Sequence, residues 1–211
     1  MTQGRFYPCG GRLYPSVTTI LRAKFPGPVA EDEAQQAEWD AKRERGSLVH
    51  KLIASGIVSL GDWNALSVNP EEPPTREADY SPEQKLLCAW RRFVWDYRYK
   101  AEQVELELVD PTLGYGGKPD SIGRIPKGRV LVDWKTGRLH KEYVRYQLGA
   151  YFGLYVARYP RRRIYGALGV HLDCDDGSYE VEAMSASDLS HWFASFMELK
   201  EEVVGQSDSA G

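Results

Sequence analysis

The chain lacks the marks of several large protein classes. Only three of its 211 residues are cysteine, Cys9, Cys88 and Cys174, and none are spaced as a pair. That excludes a CxxC zinc site and leaves no disulfide framework; isolated thiols of this kind are expected to be free and buried. No apolar run approaches the roughly 18–20 residues a membrane span needs, and no charged-then-apolar segment opens the chain. No membrane partner is therefore expected, and the cytoplasm is the expected location. There is no GxxxxGK[ST] motif, so neither a nucleotide-driven motor nor a nucleotide cofactor is anticipated.

Net charge is also scarce, at −3. Taken alone this argues against a polyanionic partner. The charge is unevenly placed, however. Between Lys135 and Arg163 eight Lys/Arg face a single acid, Glu142, a local balance of +7 that leaves −10 for the remainder. Basic surface attracts phosphates over a Debye length of about 8–10 Å even on an acidic protein. A solvated helix face is the plain alternative.

What the chain does contain is a core. Its apolar content is 42% with 12% aromatics, typical of a globular domain. One domain is expected over 1–205, helical at about 16–100, with a core at about 101–184, a C-terminal helix at 185–204 and a polar tail at 205–211. Residues 5–15 are rich in turn formers and read as a hairpin or loop. Ser16 caps a short helix that Pro26 and Pro28 end. Residues 31–54 are helical, with Ala34, Ala37, Trp39, Ala41, Leu48, Leu52 and Ile53 as inward candidates; Gly46 leaves open whether this is one helix or two. Residues 66–80 carry three prolines and an acidic cluster and read as a mobile surface loop.

Ser81-Pro82-Glu83-Gln84 is a capping sequence, and Leu86 to Tyr97 follow at helical spacing. The period then drops to two. Val104, Leu106 and Leu108 alternate with Glu105 and Glu107, predicting a strand. Gly114 to Gly117 mark a turn, Ile122 to Ile125 a second strand, and Val130 to Trp134 a third, central one. A tyrosine-rich helix over 140–158 precedes strands at 164–172 and 179–183. Ser185 or Ser187 then opens a last helix. The plan is mixed α/β.

Asp133 and Lys135 end the predicted central strand, and residues two apart on a strand share a face. A charge there is costly unless it is paired or binds metal. With Asp120 close to the start of the neighbouring strand, the carboxylates form a hard-oxygen site suited to magnesium or manganese, and a lysine beside them can steady developing charge. A plain Asp–Lys pair capping a strand end accounts for these residues as well.

Asp120 followed by Asp133-Trp134-Lys135 resembles the PD-(D/E)XK nuclease superfamily, and specifically its RecB-like exonuclease branch. Tyr14-Pro15-Ser16-Val17-Thr18-Thr19-Ile20-Leu21 is similar to that branch's N-terminal segment, Arg45-Gly46-Ser47-Leu48-Val49-His50 to its glycine–histidine helix motif, and Gln147-Leu148-Gly149-Ala150-Tyr151 to its QxxxY motif. The matches run in order from about residue 14 to 155. The resemblance implies a restriction-endonuclease-like αβββαβ core, a mixed sheet flanked by helices. It also implies a Mg2+- or Mn2+-dependent deoxyribonuclease acting at single- or double-stranded DNA ends, in recombination, repair or phage DNA turnover.

Carried over residue by residue, Asp120, Asp133 and the Trp134 carbonyl would hold metal, with His50 near the metal or the scissile phosphate. Glu105, in preference to Glu107 of the same parity, would be the further acid. Lys135 would orient the attacking water, and Gln147 and Tyr151, sharing one helix face, would support it. Arg138, Lys141, Arg145, Arg161, Arg162 and Arg163 would track the DNA backbone. Tyr143, Tyr146 and Trp134 could stack on frayed bases, with core and rim packing the alternative for most of them. Some relatives carry an iron–sulfur cluster on four cysteines; three ungrouped ones predict none here. Any helicase or recombinase would be a separate chain. A structure-specific endonuclease of the same fold and a catalytically silent DNA-binding module are the rival readings.

Overall fold

A computed structural model describes residues 4–58, 80–137 and 140–208. The loop expected at 66–80 lies outside them except for Tyr80. The turn-rich start forms an antiparallel hairpin, β1 (Phe6–Cys9) and β2 (Arg12–Pro15). Helix α1 (Val17–Lys24) begins where the Ser16 hydroxyl accepts the Thr19 N–H at 3.0 Å, which satisfies one of the donors a helix start leaves open.

Helix α2 (Glu33–Val58) runs unbroken through Gly46. An interior glycine costs about 1 kcal/mol of helix propensity, and here it serves packing. A Cβ at Gly46 would lie 2.6 Å from Thr136 Oγ1, so only glycine lets the helix come this close to that turn. The inward face differs in part from the predicted one: Ile53 is buried as expected, but Ala34, Ala37, Ala41 and Leu48 are exposed, and Val49 is buried in their place. Alanines add little apolar area, so the heavier positions set the helix's rotation.

Helix α3 (Pro82–Tyr97) starts at a full capping box in which Ser81 and Gln84 exchange hydrogen bonds. A five-stranded sheet follows, in the order β3 (Lys100–Val104), β6 (Ser121–Ile125), β7 (Gly128–Lys135), β8 (Gly166–Leu172) and β9 (Tyr179–Ser185). β7 is central, antiparallel to β6 and parallel to β8. The parallel crossover is helix α4 (Lys141–Arg158), the connection such a pair requires. Helix α5 (Ala186–Asp208) follows β9, and Ser185 Oγ accepts the Asp188 N–H at 3.2 Å at its start.

The strand predicted across 104–108 does not exist as one strand. Glu105 takes a left-handed backbone (φ 48), which ends β3, and its N–H turns to the Asp120 carbonyl at 2.9 Å. Leu108 restarts as β4 (Leu108–Asp110), paired with β5 (Tyr115–Gly117) in a separate two-stranded sheet. The glycines at 114–117 are thus largely strand rather than turn. The alternation that suggested one strand arose because Val104 packs in one core and Leu106 and Leu108 in another. The shared parity of Glu105 and Glu107 falls with it.

Two apolar layers cover the sheet. Leu131, Ile122 and Ala167 pack under α1, α4 and α5, while Val130, Val132, Trp134 and Leu168 pack under α2 and α3. The layers alternate along β7, so Asp133 and Lys135 stand on the α4 side. Of the three free cysteines only Cys88 is buried, against the expectation for all three. Among the described residues no helix is long and apolar enough to cross a membrane.

Candidate active site

The site forms where the strands end. β7 leaves the core at Asp133 and Lys135, β6 begins just after Asp120, and α2 crosses above. Ala54 of α2 sits by Val104 and Glu105, His50 by Asp120, and Gly46 by Thr136. Beneath the helix lies a cleft of about 920 Å³ whose walls include Asp120, Asp133, Lys135, Gln147, Tyr151, His50 and Glu105.

On the α4 side the site is buried and wired. Asp133 is 2% exposed and ion-pairs with Lys135. The Lys135 ammonium donates to Gln147 Oε1 at 2.7 Å, and Gln147 Nε2 donates to the Tyr151 hydroxyl at 3.0 Å. Burial pushes the Asp133 carboxyl upward in pKa; Lys135 pulls it down, Asp120 adds to the rise, and the net shift is up. Burial likewise disfavours the Lys135 ammonium, but the charges of Asp133 and Asp120 more than offset it and raise its pKa. Lys135 is therefore a fixed cation and donor rather than a base at neutral pH. Burial also raises the Tyr151 phenol well above its usual value, so it stays protonated.

On the α2 side the site is half open. Asp120 Oδ2 accepts the Trp134 N–H at 2.8 Å, while Oδ1 lies 3.3 Å from His50 Nδ1. Burial alone would lower the His50 pKa, but Asp120, with help from Asp133, reverses this and raises it. Glu105 lines the cleft and Glu107 does not; Lys118 Nζ donates to Glu105 at 2.6 Å. The Trp134 ring is packed against Phe93 and Tyr99, and Tyr146 is also buried, so neither ring is available for stacking.

The donor set suits a hard cation but does not complete its coordination. Asp133 Oδ2 is buried with no hydrogen bond of good geometry beyond its ion pair. Among the described residues no three His, Cys, Asp or Glu side chains converge into a cage. Mg2+ is usually held by one or two carboxylates, with water and substrate phosphate filling the rest. Two aspartates at a cleft open to substrate fit that pattern.

Among the described residues, the basic side chains from Lys141 to Arg163 do not line this cleft. Lys141 pairs with Glu180 at 2.9 Å and Arg145 with Glu182 at 2.6 Å. Arg161, Arg162 and Arg163 precede β8, at the opposite end of the strands from Lys135. Arg138 lies outside the described residues. Besides Lys135, the described cations that line the cleft are Arg5, Lys118 and the α2 residues Lys42, Arg43, Arg45 and Lys51. The sequence reading missed them. Their one signal was position, within a turn or two of His50 on the same helix.

A family model for the PD-(D/E)XK nuclease superfamily matches residues 20–210. Among solved structures, one designated SSO0001 is similar over 90% of this chain and 84% of its own, at 14% identity and a TM-score of 0.33. An alkaline exonuclease, LHK-Exo from Laribacter hongkongensis, is similar over 93% of this chain and 94% of its own, at 12% identity and a TM-score of 0.32. Neither likeness is close enough to transfer an activity. No curated protein matches the chain.

Proposed function

This chain belongs to the PD-(D/E)XK nuclease superfamily, and on that premise we propose that it is a divalent-metal-dependent DNA exonuclease. The observation that carries the reading is the convergence of Asp120, Asp133 and Lys135 at one cleft, with the lysine held by Gln147. Asp120, Asp133 and the Trp134 carbonyl are the residues that would hold Mg2+ or Mn2+. Once bound there, such a cation would supply Lewis acidity and neutralise charge on the scissile phosphate.

The protein's own groups then have distinct tasks. Lys135 keeps its proton and directs it at the attacking water or a phosphate oxygen, stabilising the charge that builds up during hydrolysis. Gln147 and Tyr151 fix the ammonium's direction, since positioning supplies much of the rate in phosphoryl chemistry. His50 orients Asp120. The α2 cations grip the phosphate backbone without reading sequence. Preference for free ends rests on the RecB-like motifs at Ser16–Leu21, Gly46/His50 and Gln147/Tyr151. Recombination, repair or phage DNA turnover in a bacterial cytoplasm, alongside a separate helicase or recombinase, is the setting those motifs suggest.

The test is degradation of end-labelled linear single- and double-stranded DNA beside circles, with magnesium, manganese or EDTA. We expect metal-dependent loss of linear DNA, intact circles, and no cleavage by Lys135→Ala despite retained binding. Cleaved circles would replace the exonuclease with an endonuclease. Binding without any cleavage would leave a silent DNA-binding module.

A further inference from the structure

His171 has no part in the reading above, yet it belongs to the same surface. In the parallel pairing of β7 with β8 it is the register partner of Lys135, as Gly169 is of Asp133. Register partners project to the same face of a sheet, so the imidazole stands beside the lysine on the α4 side. It lines the same cleft and is half-buried. Its other neighbour across the sheet is Glu180 of β9, which Lys141 holds at 2.9 Å. Lys135 is committed to Asp133 and Gln147. Among the described residues no hydrogen bond engages the His171 ring, while the polar groups on both sides are occupied.

The path of α2 indicates what that ring meets. The helix crosses the strand ends from β3, through β6, to the turn after β7, and Lys42 and Arg43 continue its cleft-lining face beyond that point. A nucleic-acid strand following those cations crosses the sheet edge in the same direction. Adjacent strands lie about 4.8 Å apart, so a side chain one strand beyond Lys135 reaches the next stretch of the backbone rather than the scissile phosphate itself. The position one strand beyond Lys135 is that of His171. Resting on the nuclease reading, we propose that His171 is a substrate-contacting residue that donates a hydrogen bond to the phosphate adjacent to the scissile one, on the β8 side, and so sets where the strand sits relative to Lys135.

The test couples the residue to a single phosphate. Single-stranded oligonucleotides carry one neutral methylphosphonate at either phosphate flanking the mapped cleavage position. Binding is measured by fluorescence anisotropy in EDTA, and KM and kcat with metal. For the wild type, neutralising the β8-side phosphate should weaken binding and raise KM on the order of ten-fold, the size of one charge-assisted hydrogen bond. For His171→Ala the same change should add nothing, while neutralising the other flanking phosphate should still weaken binding. His171→Gln, which keeps an N–H donor, should recover part of the coupling. Equal penalties in wild type and His171→Ala at both phosphates would overturn the proposal. So would a His171→Ala defect in kcat alone with unchanged KM and binding. A wild type that binds but never cleaves would sink the nuclease reading instead, and a methylphosphonate moved along the bound strand would still judge His171: if no position loses its binding penalty in His171→Ala, the proposal falls.

Discussion

The two walls of the cleft are built on opposite principles. The α4 wall is dry: Gln147 and Tyr151 are each 4% exposed and pass a hydrogen-bond chain to Lys135. The α2 wall is wet: the His50 side chain is 27% exposed, and the cations around it reach into solvent. A buried donor chain has one low-energy arrangement, because any break leaves an unpaired polar group. That suits a group which must point one way. Half-exposed lysines and arginines pay little for moving and suit a grip on a uniform polyanion. If the proposed function holds, the α4 wall should govern chemistry and the α2 wall binding.

The largest effects should come from the junction of the walls. Lys135→Ala and Asp133→Asn are each expected to lower kcat about a thousand-fold or more while DNA binding changes little; single-turnover cleavage and anisotropy check this. Next come the supports. Gln147→Ala and Tyr151→Phe should lower kcat by tens of fold at every metal concentration. His50→Ala should lose a similar factor but recover much of it as Mn2+ is raised, because it acts through Asp120. If all three respond alike to Mn2+ titration, the division between the walls fails.

Smaller again is a pH effect on stability. In EDTA the native Asp133 carboxyl, raised by burial to about 6, holds its proton more tightly than its unfolded counterpart near 3.8. Its contribution to stability is fully present below about pH 4 and is lost as pH rises through about 6, on the order of 3 kcal/mol. Urea denaturation of wild type and Asp133→Asn between pH 4 and 7 isolates it: the difference should grow with pH in favour of the asparagine variant. A constant difference would mean that the Lys135 pairing cancels the burial cost.

The smallest effect separates the two sets of cations. Arg43→Gln with Lys51→Gln should flatten the dependence of log K on log salt by about 1–2 on single-stranded DNA. Lys141→Gln with Arg145→Gln should leave it unchanged, because those side chains lie outside the cleft.

Much of the frame was legible in residue patterns. The Ser16 and Ser81 caps, the strand at 130–134, the crossover helix and the shared face of Asp133 and Lys135 all depend on near neighbours in the chain. The failures share a cause. The alternation at 104–108 looks like one strand because periodicity records which residues are apolar and not which core receives them. The turn at Glu105 appears only once its N–H is seen bonding to Asp120. The density of basic residues at 135–163 was real, but the acids that answer part of it lie on β9, more than twenty residues downstream.

By itself, then, the sequence determined the order of the helices and of β6 to β9, the family's motifs and the pairing of Asp133 with Lys135, because strand parity and helix caps are local rules. Tertiary structure alone decided that α2 lies across the strand ends, that its cations and not those of α4 face the cleft, and that His171 stands beside Lys135. A parallel pairing through a crossover helix brings together residues 36 apart in the chain, and no periodicity in either strand encodes that register.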